Sequence, residues 1–115
     1  MVEYHTVVDS GKREKFDSGA RRDTRENKGR FDLIPVEPLF RLAVHLERGA
    51  VKYSANNWRK GMPSSRYYDS AMRHLCSYMR GDRVEDHLAG VLFNVMAIMW
   101  NEECLPDMHD MDSNF

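Results

Sequence analysis

Apolar positions recur at helical spacing in three stretches of this chain. Val36, Leu39, Phe40, Ala43, Ala50 and Val51 form the first stripe. Pro35 and Pro38 suit a first turn, where their missing N–H groups are not needed. The pattern therefore predicts a helix starting after Asp32-Leu33-Ile34-Pro35 and running to about Tyr53. A second helix is predicted over Ser65–Arg80, with Tyr68, Ala71, Met72, Leu75 and Met79 facing the core and Gly81 as its C-terminal cap. The third is predicted from Asp82 to about Glu103, because Asp82 and Glu85 have the spacing of a capping box. From Leu88 to Trp100 it is apolar nearly all round apart from Asn94, which predicts the central buried helix.

The ends of the chain carry a different pattern. Residues 1–31 are polar and punctuated by Gly11, Gly19 and Gly29. Val2 to Val8 predicts a short strand, with Ser10-Gly11 turning it back toward Lys12 to Phe16. Residues 105–115 read as a mobile acidic tail. The expected fold class is thus all-α: a small helical bundle over residues 32–104, a short irregular or β-hairpin arm before it, and the tail behind.

Composition narrows the partners. A chain of 115 residues has one domain's worth of material, and its 30% charged and 42% hydrophobic content fits a soluble globular protein. A net charge of -1 argues against general duplex-DNA binding, which needs a basic surplus. No apolar run approaches a membrane span, and the N-terminus lacks a signal peptide's hydrophobic region. Cys76 and Cys104 lack metal-type spacing and read as reduced thiols of a cytoplasmic protein. Eight methionines and a strongly apolar last helix suggest that the core is completed by oligomerisation.

The chemistry concentrates in Glu47 to Gly61, ERGAVKYSANNWRKG. A helical carboxylate is followed by Lys52 and Tyr53, then by Asn56, Asn57, Trp58, Arg59 and Lys60. Cations and amides hold phosphates, an aromatic face stacks on a base, and a carboxylate holds the metal that accompanies a triphosphate. Polar residues also intrude on helical core faces: Glu47, His74, Asp86 or His87, and Asn94. Carboxylate, imidazole and amide groups pointing inward from three helices resemble ligand sites inside bundles, and hard oxygen ligands favour Mg²⁺ or Mn²⁺ over zinc. Plainer roles compete. Glu47 could pair with Arg73 or Lys52, Asp69 with Arg73; His74 could be a core histidine; Glu85 could only cap the third helix; Trp58 could plug the core. The basic run of residues 19–30, with Arg21 and Arg22, reads either as a solvated arm or as a lid over phosphates.

Six segments then occur in order: SGARRD at 18–23, KGRFDLIP at 28–35, ERGAVKY at 47–53, NWRKG at 57–61, DSAMRH at 69–74 and EDHLAGVLFN at 85–94. Together they resemble the small, mostly phage-encoded dATP/dGTP diphosphohydrolase N-terminal domains, which are similar to MazG-like all-α NTP pyrophosphatases. The resemblance implies a homodimeric or homotetrameric enzyme splitting a purine (deoxy)nucleoside triphosphate into monophosphate and pyrophosphate. MazG-like enzymes hold divalent ions with E-x-x-E and E-x-x-D motifs. Here Glu47 matches the first carboxylate, but Ala50 stands at the second, and His87 and Gly90 stand where the other motif has Glu and Asp. Glu85, Asp86 or Asp69 would have to supply the missing oxygens. On this reading Glu47 and Asp86 are catalytic, and His74 or His87 relays a proton or orients the water. Lys52, Arg73, Arg21 and Arg22 neutralise phosphates, while Tyr53, Asn57, Trp58 and Asn94 hold the nucleoside. The incomplete motifs also fit an alternative, a binding protein that sequesters a nucleotide or nucleotide-derived signal without cleaving it. A third reading is an interaction module whose polar core is merely structural.

Overall fold

A computed structural model describes residues 7–111. The chain divides into two compact units, one ending at Ile34 and one starting at Pro35. In the first, β1 (Glu14–Lys15) pairs antiparallel with β2 (Arg21–Arg22), in the register Glu14 with Arg22 and Lys15 with Arg21. The turn between them is closed by the Gly19 N–H donating to Phe16 O at 2.9 Å, with Gly19 at φ +90°. Only glycine adopts that left-handed conformation at little cost. Of the expected strand over Val2 to Val8, residues 2–6 lie outside the described residues, and residues 7 and 8 are not in a strand. Ser10 does not turn a hairpin. Its N–H and hydroxyl both donate to the Asp23 carboxylate, which Lys28 also contacts at 3.1 Å. Exposed ion pairs, including Lys12–Glu26 and Arg30–Asp32, surround this unit.

The second unit holds α1 (Val36–Lys52), α2 (Ser64–Met79) and α3 (His87–Cys104). Both α1 and α2 pack on α3. Gly81, at φ +90°, closes α2 by donating to Tyr78 O, as the sequence predicts. The start of α3 does not follow the capping-box spacing. Asp82 instead accepts from the Val84 N–H at 2.9 Å in a local turn, and Asp86 is the cap, accepting from the Ala89 N–H at 3.1 Å.

The seam between α2 and α3 is small and polar. On α3 the buried positions His87, Gly90, Asn94, Ala97 and Asn101 recur at spacings of three and four, so they line one face. On α2 the buried residues are Ser64, Tyr67 and Ala71. Asn101 Nδ2 donates to Ser64 Oγ and to Met62 O, both at 3.0 Å. Asn94 Nδ2 donates to Ser70 Oγ at 3.3 Å and to Gly90 O at 2.7 Å. Farther along, His74 meets His87. These rungs make the two helices an antiparallel hairpin of fixed register.

The expected core of α2 is met at Ala71 and otherwise lies on the neighbouring face. Tyr67 is buried, whereas Tyr68, Met72, Leu75 and Met79 are exposed. Val36, Leu39, Phe40 and Val51 on α1 are exposed as well. The apolar band on each helix is wider than the seam, and hydrogen-bonding rungs rather than bulk decide which part of it turns inward. The described part of the tail also differs from expectation, residues 112–115 lying outside the described residues. Asp110 accepts from Ser65 N–H (2.8 Å) and Oγ (2.5 Å), and Leu105 and Met108 crowd Gly61, where an added Cβ would lie 2.8 Å from Leu105. Residues 105–110 thus brace the start of α2.

Candidate functional site

Two adjoining cavities share a wall of His45, Gly49, Tyr53, Ser70, Phe93 and Asn94. The first, of about 360 Å³, is lined by Arg41, His45, Arg48 and Lys52 from α1. These four recur at spacings of four, three and four, so α1 presents them as one basic stripe. Opposite them stand Ser70 and His74 of α2 and Glu85 and Asp86 from the loop before α3. The second cavity, of about 680 Å³, is aromatic and amide-rich, with Asn56, Asn57, Trp58 and Tyr67 around it and Glu47 on its α1 side.

Asp86 has two partners. Besides capping α3, it takes a two-pronged ion pair from Arg41, Nε at 2.7 Å and Nη2 at 2.5 Å. Arg41 holds the Asp86 carboxyl at a pKa of about 2, and the carboxylate raises that of Arg41 in turn. His45, tilted against the Phe93 ring at 5.2 Å, is pushed below its ordinary pKa by burial first and by the nearby His74 second. It is therefore neutral at pH 7.

One group of three metal-ligating residue types converges among the described residues: His74, Glu85 and His87. The two Nδ1 atoms are 3.0 Å apart, and Glu85 Oε1 lies 3.3 Å from His74 Nδ1 and 3.6 Å from His87 Nδ1. His87 is buried, His74 half-buried and Glu85 exposed. Two imidazoles with one carboxylate are a donor set fit for a divalent transition ion. The residues present therefore fit a metal, though not the all-oxygen set expected from the sequence.

The sequence-predicted residues distribute unevenly. Lys52 and Tyr53 line the first cavity, Asn57 and Trp58 the second, and Asn94 both. Glu47 lines the second cavity and Asp86 the first, so the structure does not bring that pair into one ligand cluster. Asp69 and Arg73 pair with each other on the exposed face of α2. Arg21 and Arg22 form β2 of the first unit. Arg41, His45, Arg48 and Ser70 were not singled out from the sequence. The 4-3-4 spacing of Arg41, His45, Arg48 and Lys52 was the available signal, masked by the neighbouring apolar stripe.

A family model described as dATP/dGTP diphosphohydrolase, N-terminal, matches residues 18–111. No curated protein and no solved structure matches. Among the described residues, no helix is long and apolar enough to cross a membrane.

Proposed function

Because the chain belongs to the dATP/dGTP diphosphohydrolase N-terminal family, we propose that it hydrolyses a purine (deoxy)nucleoside triphosphate to the monophosphate and pyrophosphate. One observation carries this reading: a basic cavity and an aromatic, amide-lined cavity share a wall at Ser70, Phe93 and Asn94. A nucleotide has the same division. Its phosphates take the Arg41–His45–Arg48–Lys52 side and its base takes the Trp58 side, where Asn57 offers hydrogen-bond edges and Glu47 accepts from a purine amino or imino group. Asn94 and Ser70 lie at the junction, within reach of the sugar. Water attacks the α-phosphorus there, and pyrophosphate leaves toward the basic stripe.

A divalent ion held beside Glu85, at the rim of the first cavity, would neutralise phosphate charge as it builds up. The chain's own residues position the substrate: Arg48 and Lys52 bind phosphate oxygens, and Asp86 fixes the Arg41 guanidinium against the same wall. Assembly into a homodimer or homotetramer belongs to the same proposal. It is supported by the apolar residues left uncovered on α2 and α3.

The test is to incubate the protein with dATP, dGTP, dCTP and dTTP in turn, with Mn²⁺ or Mg²⁺. Monophosphate and pyrophosphate from the purine substrates are expected. Tight binding with the nucleotide recovered intact would instead identify a sequestering protein, a reading favoured by the position of Glu47 outside the ligand cluster.

A further inference from the structure

The geometry points to His74, Glu85 and His87 as a three-ligand site for one transition-metal ion, of the Zn²⁺, Co²⁺ or Mn²⁺ class rather than Mg²⁺, filled by the chain alone before any nucleotide arrives. This deepens the hydrolase reading by naming the ligands of its ion, and it replaces the proton-relay role expected of the two histidines.

The separations carry the argument. Edges of 3.0, 3.3 and 3.6 Å define a nearly regular triangle. A tetrahedral ion with bonds of roughly 2.0–2.1 Å holds its ligand atoms roughly 3.3–3.4 Å apart. A single point about 2.0 Å from all three atoms therefore exists here without any side chain moving. A hydrogen bond between the imidazoles would account for the 3.0 Å edge alone, not for a carboxylate oxygen standing almost as near to both rings.

Two supports lie outside the triangle. The His87 Nε2 atom is buried, and the carboxylate of Asp82 lies 3.3 Å from it. A carboxylate behind a histidine is what fixes the ring so that its other nitrogen is free for a metal. Beneath the His74 ring lies Gly90, where an added Cβ would come within 2.8–2.9 Å of three ring atoms. The glycine thus lets the ring stack onto α3 at the angle that brings its Nδ1 to the cluster. Since His74 and Glu85 also line the basic cavity, an ion held by the cluster would lie at the edge of that cavity. Two imidazoles favour borderline ions and disfavour Mg²⁺, which prefers an all-oxygen shell.

Chelator-treated protein is titrated with Co²⁺, Zn²⁺, Mn²⁺ and Mg²⁺ by calorimetry and, for Co²⁺, by visible absorption, with no nucleotide present. One ion per chain is expected, with the intense Co²⁺ bands of a four-coordinate site and Mg²⁺ far weaker. His74→Ala and Glu85→Gln should abolish those bands, and Asp82→Asn should weaken Zn²⁺ binding about 10-fold or more. Glu47→Gln should leave it unchanged. If His87→Ala does not fold, the His74 and Glu85 variants still decide the matter. Unaltered Co²⁺ spectra in His74→Ala, or Mg²⁺ binding as tight as Zn²⁺, overturns the assignment. Because no nucleotide is used, ion binding without turnover overturns only the hydrolase reading, and turnover in a chain lacking this ion site overturns only the metal assignment.

Discussion

Asn101 is 1% exposed and ties the end of α3 to the start of α2 through Met62 O and Ser64 Oγ. Asn101→Ala leaves the buried Ser64 hydroxyl and the half-buried Met62 carbonyl without this donor, a loss of about 1–3 kcal/mol. A lower denaturant midpoint with an unchanged m-value is the expected record. His45 makes a different kind of contribution. Its folded-state pKa lies below the ordinary 6.5 because burial opposes the charged ring. The unfolded chain therefore takes up the proton first, so stability is full above the ordinary value and declines as pH falls through it. Melting temperatures of metal-free protein measured from about pH 8 to about pH 5 should fall, and His45→Gln should flatten that slope.

At the scale of the element, Asp86→Ala removes the cap of α3 and should cost about 1 kcal/mol of stability, read from thermal melts. Helix positions were largely legible in the sequence because breakers are local signals. Pro35 and Gly81 bound α1 and α2 within a residue of the predicted ends. The start of α3 was misplaced because Asp82 and Asp86 are both cap-type residues, and which backbone N–H each accepts from is a matter of loop geometry. The inward face of α2 was not legible for another reason. Tyr67 and Tyr68 have the same side chain, and the partners that choose between neighbouring faces come from another helix. Ser70 meets Asn94 across 24 residues and Ser64 meets Asn101 across 37. Periodicity sees one helix at a time, so Asn94 was recognised as an intruder without its partner. The His74–Glu85–His87 cluster was not legible as such: the sequence suggested Glu85 as a metal ligand and the two histidines as proton relays, and His74 comes together with Glu85 and His87 only once the hairpin forms.

The whole second unit buries little apolar bulk. Among the described residues its buried hydrophobic side chains are Tyr67, Ala71, Ala89 and Ala97. Tyr68, Met72, Leu75 and Met79 on α2 follow 4-3-4 spacing, and Leu92, Val95 and Met99 on α3 follow 3-4 spacing, all exposed. The α2 set lies one residue past its buried seam and the α3 set one to two residues past its own, and in an antiparallel hairpin a shift in the same rotational sense turns both sets toward the same side. A second copy presenting the same face would complete a four-helix core. Met72→Glu combined with Val95→Glu should give a monomer in sedimentation velocity where the unsubstituted chain assembles.

Against this hairpin, α1 is a loosely fastened element, since none of its residues is buried. Its amides should trade hydrogen for deuterium soonest among the three helices, and those along the polar α2–α3 seam last. On the proposed function, the guanidinium groups that bind phosphate sit on the helix expected to open most readily. Part of every substrate's binding free energy is then spent quieting that helix, and dGTP should slow deuterium uptake across 41–52 more than anywhere on α2.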